Sequence, residues 1–276
     1  MNHLLSLFFI LTFSFSIFAQ KESKNYKKAI AYQNEHEYEK AILLYSKVLK
    51  SKGDIDYAAQ ANRGMCYYKT KEYQKAISDL LIIDSLHPNN PITNELLGYS
   101  YAKIQDQKNA AIRLQNSIDN GIAKSEQILG QLGASYYFSG NNALAKKYLE
   151  ETLKINPSND FALNNLAWAN LATEPEVSCK LFHQAYDADS LYVPNINNLG
   201  YSHLLCGDLE IAYAYFEKAE KLDPSNSFIY RNYGLYFMYK EDKENACKQL
   251  QKAKDLKLVE DYGTSYIEEL EKYCKE

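Results

Sequence analysis

The chain has 276 residues, 46% hydrophobic and 24% charged, with a formal net charge of -4 and a sequence pI near 5.8. That is ordinary globular composition, long enough for one large domain or two smaller ones. No block of five or more like charges occurs, so there is no basic footprint for a phosphate backbone and nucleic acid is not expected as a partner.

The first segment, MNHLLSLFFILTFSFSIFAQ, holds an uncharged run from Leu4 to Phe18 that is short for a membrane span and gives way to polar, basic residues. It reads as a secretory signal over residues 1-19, with Ala19 at the cleavage point and a mature chain from Gln20. An uncleaved anchor is the other reading, because the start lacks Lys and Arg. No cysteine follows the run, so no lipid-anchored form is indicated. The expected location is an oxidising one, periplasmic or extracellular.

From residue 22 onward the chain repeats itself. Small residues recur at Ala29, Gly64, Gly98, Gly133, Ala167, Gly200 and Gly234, with gaps of 33 to 35 residues. A second series follows 12 residues later at Ala41, Ala76, Ala110, Ala145, Ala212 and Ala246, with Ser178 after a one-residue deletion. Where two antiparallel helices touch, Gly or Ala lets the backbones approach, so each repeat predicts a helical hairpin. Bulky residues sit three after the first small position (Tyr32, Tyr67, Tyr101, Tyr136, His203, Phe237), and Pro88, Pro157 and Pro224 close the second helix. No stretch alternates with period two, so no strands are expected.

This pattern resembles the tetratricopeptide repeat family, most closely in NINNLGYSHLLCGDLEIAYAYFEKAEKLDP, which carries Gly200, Ala212, Phe216, Ala219 and Pro224 at the family's spacings. The resemblance implies an exported bacterial protein with an all-α, right-handed solenoid of seven hairpins: residues 22-56, 57-90, 91-125, 126-159, 160-192, 193-226 and 227-260. A polar helix over roughly residues 261-275 would cap the array. Repeats 3 and 5 depart most, one ending in DNGI without the proline and the other with a shortened turn at TEPE.

Catalytic signatures are missing. His36, His87, His183 and His203 fall at scattered positions in the repeat frame and are not expected to cluster. No glycine-rich phosphate loop, C-x-x-C, H-E-x-x-H or G-x-S-x-G occurs. No enzyme, metal or cofactor is expected, and His203 reads as a packing residue.

The five cysteines say more. In the repeat frame Cys179 and Cys247 both follow the second small position, while Cys206 and Cys274 each lie 27 residues further on. A second helix runs antiparallel to the next first helix, so the frame pairs Cys179 with Cys206 and Cys247 with Cys274 as disulfides, leaving Cys66 as a buried thiol. The competing reading is that all five are small buried apolar residues.

In this family the first helices line a concave face, and the residue two before the first small position points into it. Here that residue is Asn62, Asn165, Asn198 and Asn232. Amides so placed resemble the asparagine ladder of the O-linked N-acetylglucosamine transferases, which would grip a peptide backbone; asparagine is also common there without a binding role. Tyr99, Trp168 and Tyr201, one residue past the small position, with Tyr68, Tyr137 and Arg231, are expected on the same face. The family's chaperone-tail clamp is not matched, since Tyr26, Ile30, Ile92 and Leu96 stand where it needs Lys, Asn, Lys and Arg. The functional expectation is a non-enzymatic scaffold binding a peptide segment or partner protein in the groove; the alternative is an assembly subunit of a cell-envelope complex docking through its convex face or edges.

Overall fold

A computed structural model describes residues 24–51, 56–259 and 263–275. The expected signal segment lies outside them. Among the described residues there are fifteen α-helices and no strand. In chain order they are α1 (Lys24–Asn34), α2 (Tyr38–Ser51), α3 (Tyr57–Lys69), α4 (Tyr73–Leu86), α5 (Pro91–Lys103), α6 (Gln107–Asp119), α7 (Glu126–Phe138), α8 (Asn142–Ile155), α9 (Asp160–Asn170), α10 (Pro175–Ala188), α11 (Val193–Leu205), α12 (Leu209–Leu222), α13 (Ser227–Tyr239), α14 (Lys243–Asp255) and α15 (Glu268–Lys275). The C-terminal cap is shorter than the sequence suggests: a 3-10 turn over Thr264–Tyr266 precedes the eight residues of α15.

Local chemistry sets the helix ends. Asp56, Asp106, Ser125, Asn141, Asn159 and Asp242 each accept a hydrogen bond from the backbone N–H three residues on, satisfying a donor that the helix cannot pair internally. Pro175 and Pro194 stand in the first turns of α10 and α11, where a missing N–H costs nothing.

Two compact units divide the chain, the first ending at Ser100 and the second starting at Tyr101. In the first, α1 packs on α2 and α3 on α4, around a core that includes Ala29, Ala41, Tyr45, Val48, Ala59 and Cys66. In the second, α7 to α14 pair successively and pack on their neighbours, and α15 lies against α13 and α14.

The two small-residue series meet inside these hairpins. A Cβ on Gly133 would lie 2.7 Å from Leu149 Cγ, and one on Gly200 would lie 2.7 Å from the Phe216 ring. The exception in the second series explains itself, because the Ser178 hydroxyl donates a 2.8 Å hydrogen bond to the Ala167 carbonyl, its own partner across the hairpin.

The tight turn between paired helices carries one residue with positive φ at His36, Lys71, Gln105, Gly140, Gly207 and Glu241, each seven residues after the first small position. In the shortened TEPE turn of the fifth hairpin, the equivalent Glu174 has φ -141. Only two of the six positive-φ positions hold glycine, and a side chain in the left-handed region costs about 1 kcal/mol or more. Exposed Lys71 is the simplest to test: Lys71→Gly should raise stability by about 1 kcal/mol in urea unfolding. A loss of stability would show that its side chain, not its backbone, matters.

Candidate functional site

In the second unit the first helices α7, α9, α11 and α13 touch in succession, so residues from each share one face. Trp168 of α9 stacks on Tyr201 of α11 with ring centroids 5.4 Å apart and planes 26° apart. The Arg231 guanidinium of α13 sits 4.9 Å above the Tyr201 ring. Three neighbouring helices thus contribute one continuous strip of indole, phenol and guanidinium, each half-buried. The other edge of the indole meets Phe182 at 5.4 Å, which fixes its orientation from below. Tyr137 of α7 stands close to the strip: burial raises its phenol pKa, and the nearby Tyr266 and Tyr201 add to the effect. Arg231 is held in place by donating from Nε to the Tyr266 carbonyl (3.0 Å) and from Nη1 to Asn232 Oδ1 (2.8 Å).

The asparagines behave differently from the expected ladder. Asn232 is 2% exposed and Asn165 is 8% exposed. Asn165 turns its amide back onto the Phe161 carbonyl at 2.7 Å, Asn198 donates to Asn164 Oδ1 at 2.9 Å, and Asn232 donates to Asn197 Oδ1 at 3.0 Å. Asn195 of α11 accepts from Asn164 at 3.0 Å and donates to Asp160 of α9 at 3.2 Å. All of these amides but that of Asn165 staple neighbouring first helices to one another. The stapling partners Asn164 and Asn197 were overlooked, although the doublets in ALNNL and NINNL signal them: adjacent asparagines leave a helix about 100° apart, one toward the shared face and one toward the next helix.

In the first unit Asn62 donates to the Tyr26 hydroxyl at 3.2 Å. Tyr99 lies 6.5 Å from Tyr68, ring to ring, and burial followed by the neighbouring Glu95 raises its phenol pKa. These form a separate, smaller aromatic pair.

The expected scattering of histidines fails at one place. His183 of α10 and His203 of α11 meet edge to face with centroids 5.1 Å apart, because the end of α11 folds back onto α10. Burial, with a smaller contribution from the neighbouring His203, lowers the His183 pKa. His203 also stacks on Tyr215 at 5.7 Å, the packing role its frame position suggests. Beside this pair Cys179 and Cys206 are brought together as two thiols with sulfurs 3.2 Å apart, not joined. Cys247 and Cys274 are at bonding distance, Cα to Cα 5.7 Å. Cys66 is a buried thiol whose pKa burial pushes up to about 12. Among the described residues no group of three or more His, Cys, Asp or Glu side chains is arranged to hold a metal ion.

Comparison with known proteins places this architecture. Residues 26–91 match one family model described as tetratricopeptide repeat, and residues 126–159 and 193–226 match a second of the same description. These three stretches of the chain are tetratricopeptide repeats. A tetratricopeptide-repeat protein from Parabacteroides merdae superposes with a TM-score of 0.70 at 16% identity, over 91% of this chain and 98% of that one. YrrB, described as a tetratricopeptide-repeat protein with an unusual peptide-binding site, gives a TM-score of 0.51 at 15% identity, over 67% of this chain and 95% of its own. In sequence, a DnaJ homolog subfamily C member 7 homolog of Schizosaccharomyces pombe is 23% identical over 72% of this chain and 48% of that protein. The chain therefore spans about half the length of that relative. Among the described residues of this repeat protein, no helix is long and apolar enough to cross a membrane.

Proposed function

We propose that this repeat array is a protein-interaction scaffold that holds an extended peptide segment against the first-helix face of its second unit. The observation that carries the reading is the strip of Trp168, Tyr201 and Arg231, aligned across three successive first helices and half-exposed. Rigid aromatic rings with a polar edge, backed by a guanidinium, offer large contact area at little conformational cost, the chemistry enriched at interaction hot spots. The peptide-binding site ascribed to YrrB is in keeping with this use of the fold. The asparagines serve the reading indirectly, by fixing the spacing of the helices that present the strip. No step of this function calls for catalysis, and the work of the protein is binding alone.

Export fits the same reading. The Leu4–Phe18 segment would direct the chain to an oxidising compartment, where a Cys247–Cys274 bond would tie α15 to α14 and seal the C-terminal end of the core.

Trp168 is the only tryptophan in the chain, so the strip carries its own reporter. Peptides selected on the full chain from a random library should shift the Trp168 emission on binding. Tyr201→Ala should weaken those peptides by about 2 kcal/mol or more, roughly thirtyfold, with helicity unchanged. Equal affinity in Tyr201→Ala would remove the strip from the binding surface.

One observation favours a second reading, docking through the second-helix face. On α4, Leu81, Ile82 and Leu86 are exposed at 38%, 37% and 46%, an apolar cluster that no contact within the first unit explains. In that case Leu81→Glu with Ile82→Glu would abolish partner association while Tyr201→Ala left it intact.

A further inference from the structure

The cluster formed by Cys179, His183, His203 and Cys206 has no part in the peptide-binding reading, and packing explains only His203. Cys179 and His183 lie one helical turn apart on α10; His203 lies one turn before Cys206, the residue that caps α11. The chain folds these two segments together so that both sulfurs and both rings share one patch of surface. Cys206 is exposed and Cys179 half-buried, so a small reagent in solvent can reach the pair. Cys66 offers the contrast within the same chain: it is fully buried, and burial suppresses its ionisation. A metal cage is a poor use of the patch, since the His203 imidazole is engaged with the Asp208 carboxylate at 3.3 Å and with the Tyr215 ring, and the described residues hold no metal-binding group of three.

We propose that Cys179 and Cys206 form a reversible thiol–disulfide exchange site for low-molecular-weight disulfides of the glutathione class. The 3.2 Å contact lets either sulfur resolve a mixed disulfide on the other. The two thiols share one hydrogen bond, which either sulfur can donate; that bond, with some burial, pushes the Cys206 pKa up to about 11, so Cys206 is assigned the second attack. Cys179, losing its proton to water, attacks one sulfur of the small disulfide, forming a mixed disulfide and expelling one small thiolate. Cys206 then loses its proton to water and attacks Cys179 from 3.2 Å, which forms the internal bond and expels the second small thiolate. Two protein thiols are oxidised by two electrons to one disulfide, one small disulfide is reduced to two thiolates, and the two protons released are available to them. Closure ties the start of α10 to the end of α11, the helix that carries Tyr201.

The test uses the reduced full chain, equilibrated in buffers of graded oxidised to reduced glutathione, quenched with a maleimide and mapped by peptide mass spectrometry. The expected result is a Cys179–Cys206 linked peptide that grows with the oxidised fraction and is lost when reduced glutathione is restored. Cys206→Ser should stall the reaction with glutathione attached to Cys179. In a chain carrying Cys247→Ser and Cys274→Ser, oxidation should raise Tm by several degrees, and the further change Cys206→Ser should abolish the rise. Three results would overturn the proposal: both thiols remaining alkylatable in the most oxidising buffer, a bond that excess reduced glutathione does not open, or stoichiometric protection of both thiols by zinc alone. None of these depends on whether peptides bind the aromatic strip.

Discussion

Replacing Asp79 by alanine should cost about 3 to 5 kcal/mol, the largest single loss expected for an uncharged replacement in the first unit. Asp79 accepts from Arg63 Nε at 2.7 Å and from Nη2 at 2.9 Å, the two-pronged geometry that suits a guanidinium and a carboxylate. The side chains are only 20% and 8% exposed, and Gln60 donates to the same carboxylate. The pairing raises the Arg63 pKa, chiefly through the hydrogen bond to Asp79, so the guanidinium stays charged and cannot escape by losing a proton. Asp79→Ala therefore strands a half-buried cation between α3 and α4. The apolar double replacement Arg63→Met with Asp79→Leu should recover most of the loss, because the cost lies in the orphaned charge and not in the absent bridge. Urea unfolding followed by far-ultraviolet circular dichroism measures both. A single-variant loss under about 1 kcal/mol would mean that water reaches Arg63 more freely than its exposure implies.

The second large effect is expected at Gly133. A Cβ there would lie 2.7 Å from Leu149 Cγ, near the stiff base of that side chain, and 3.1 Å from the Leu149 backbone nitrogen. Overpacking of this kind costs roughly 1 to 3 kcal/mol. The gain of about 1 kcal/mol that alanine brings to a helix interior offsets only part of it. Gly64→Ala is the matched control, since its Cβ would meet Leu80 Cγ at 3.2 Å and Asp79 Cβ at 3.3 Å, distances that a small shift relieves. Gly133→Ala should lower Tm by several degrees while Gly64→Ala changes it little. Equal effects at both sites would show that helix α8 can slide away from α7.

How much of this was legible in the sequence depends on the period of the signal. Close helix contact demands small residues, and that demand recurs every 33 to 35 residues, so the hairpins and the absence of strands could be read directly from the spacing. Even the exception at Ser178, one residue out of phase, keeps the contact, because a serine is small enough for it and its hydroxyl finds the Ala167 carbonyl. The same frame located Trp168, Tyr201 and Arg231 on neighbouring helices, and it brought each cysteine near its partner. It missed the fate of the asparagine amides. A frame position tells which way a side chain leaves its own helix, but whether an amide meets a peptide or another asparagine depends on how far the next helix is rotated, and that rotation is set by packing. It missed the meeting of His183 with His203 for the same reason, since they belong to different offsets in different helices. The Arg63–Asp79 pair was also out of reach: nothing periodic marks it, as it occurs in one hairpin only.

The asparagine staples have a consequence for how the chain acquires its structure. The bonds from Asn164 to Asn195, from Asn198 to Asn164 and from Asn232 to Asn197 span 31, 34 and 35 residues, close to one repeat length each. A newly formed hairpin therefore finds its polar partners in the hairpin made just before it, with only a short loop to close. Folding can start at any hairpin of the second unit and spread stepwise to either side, as a zipper does, without waiting for the chain ends to meet.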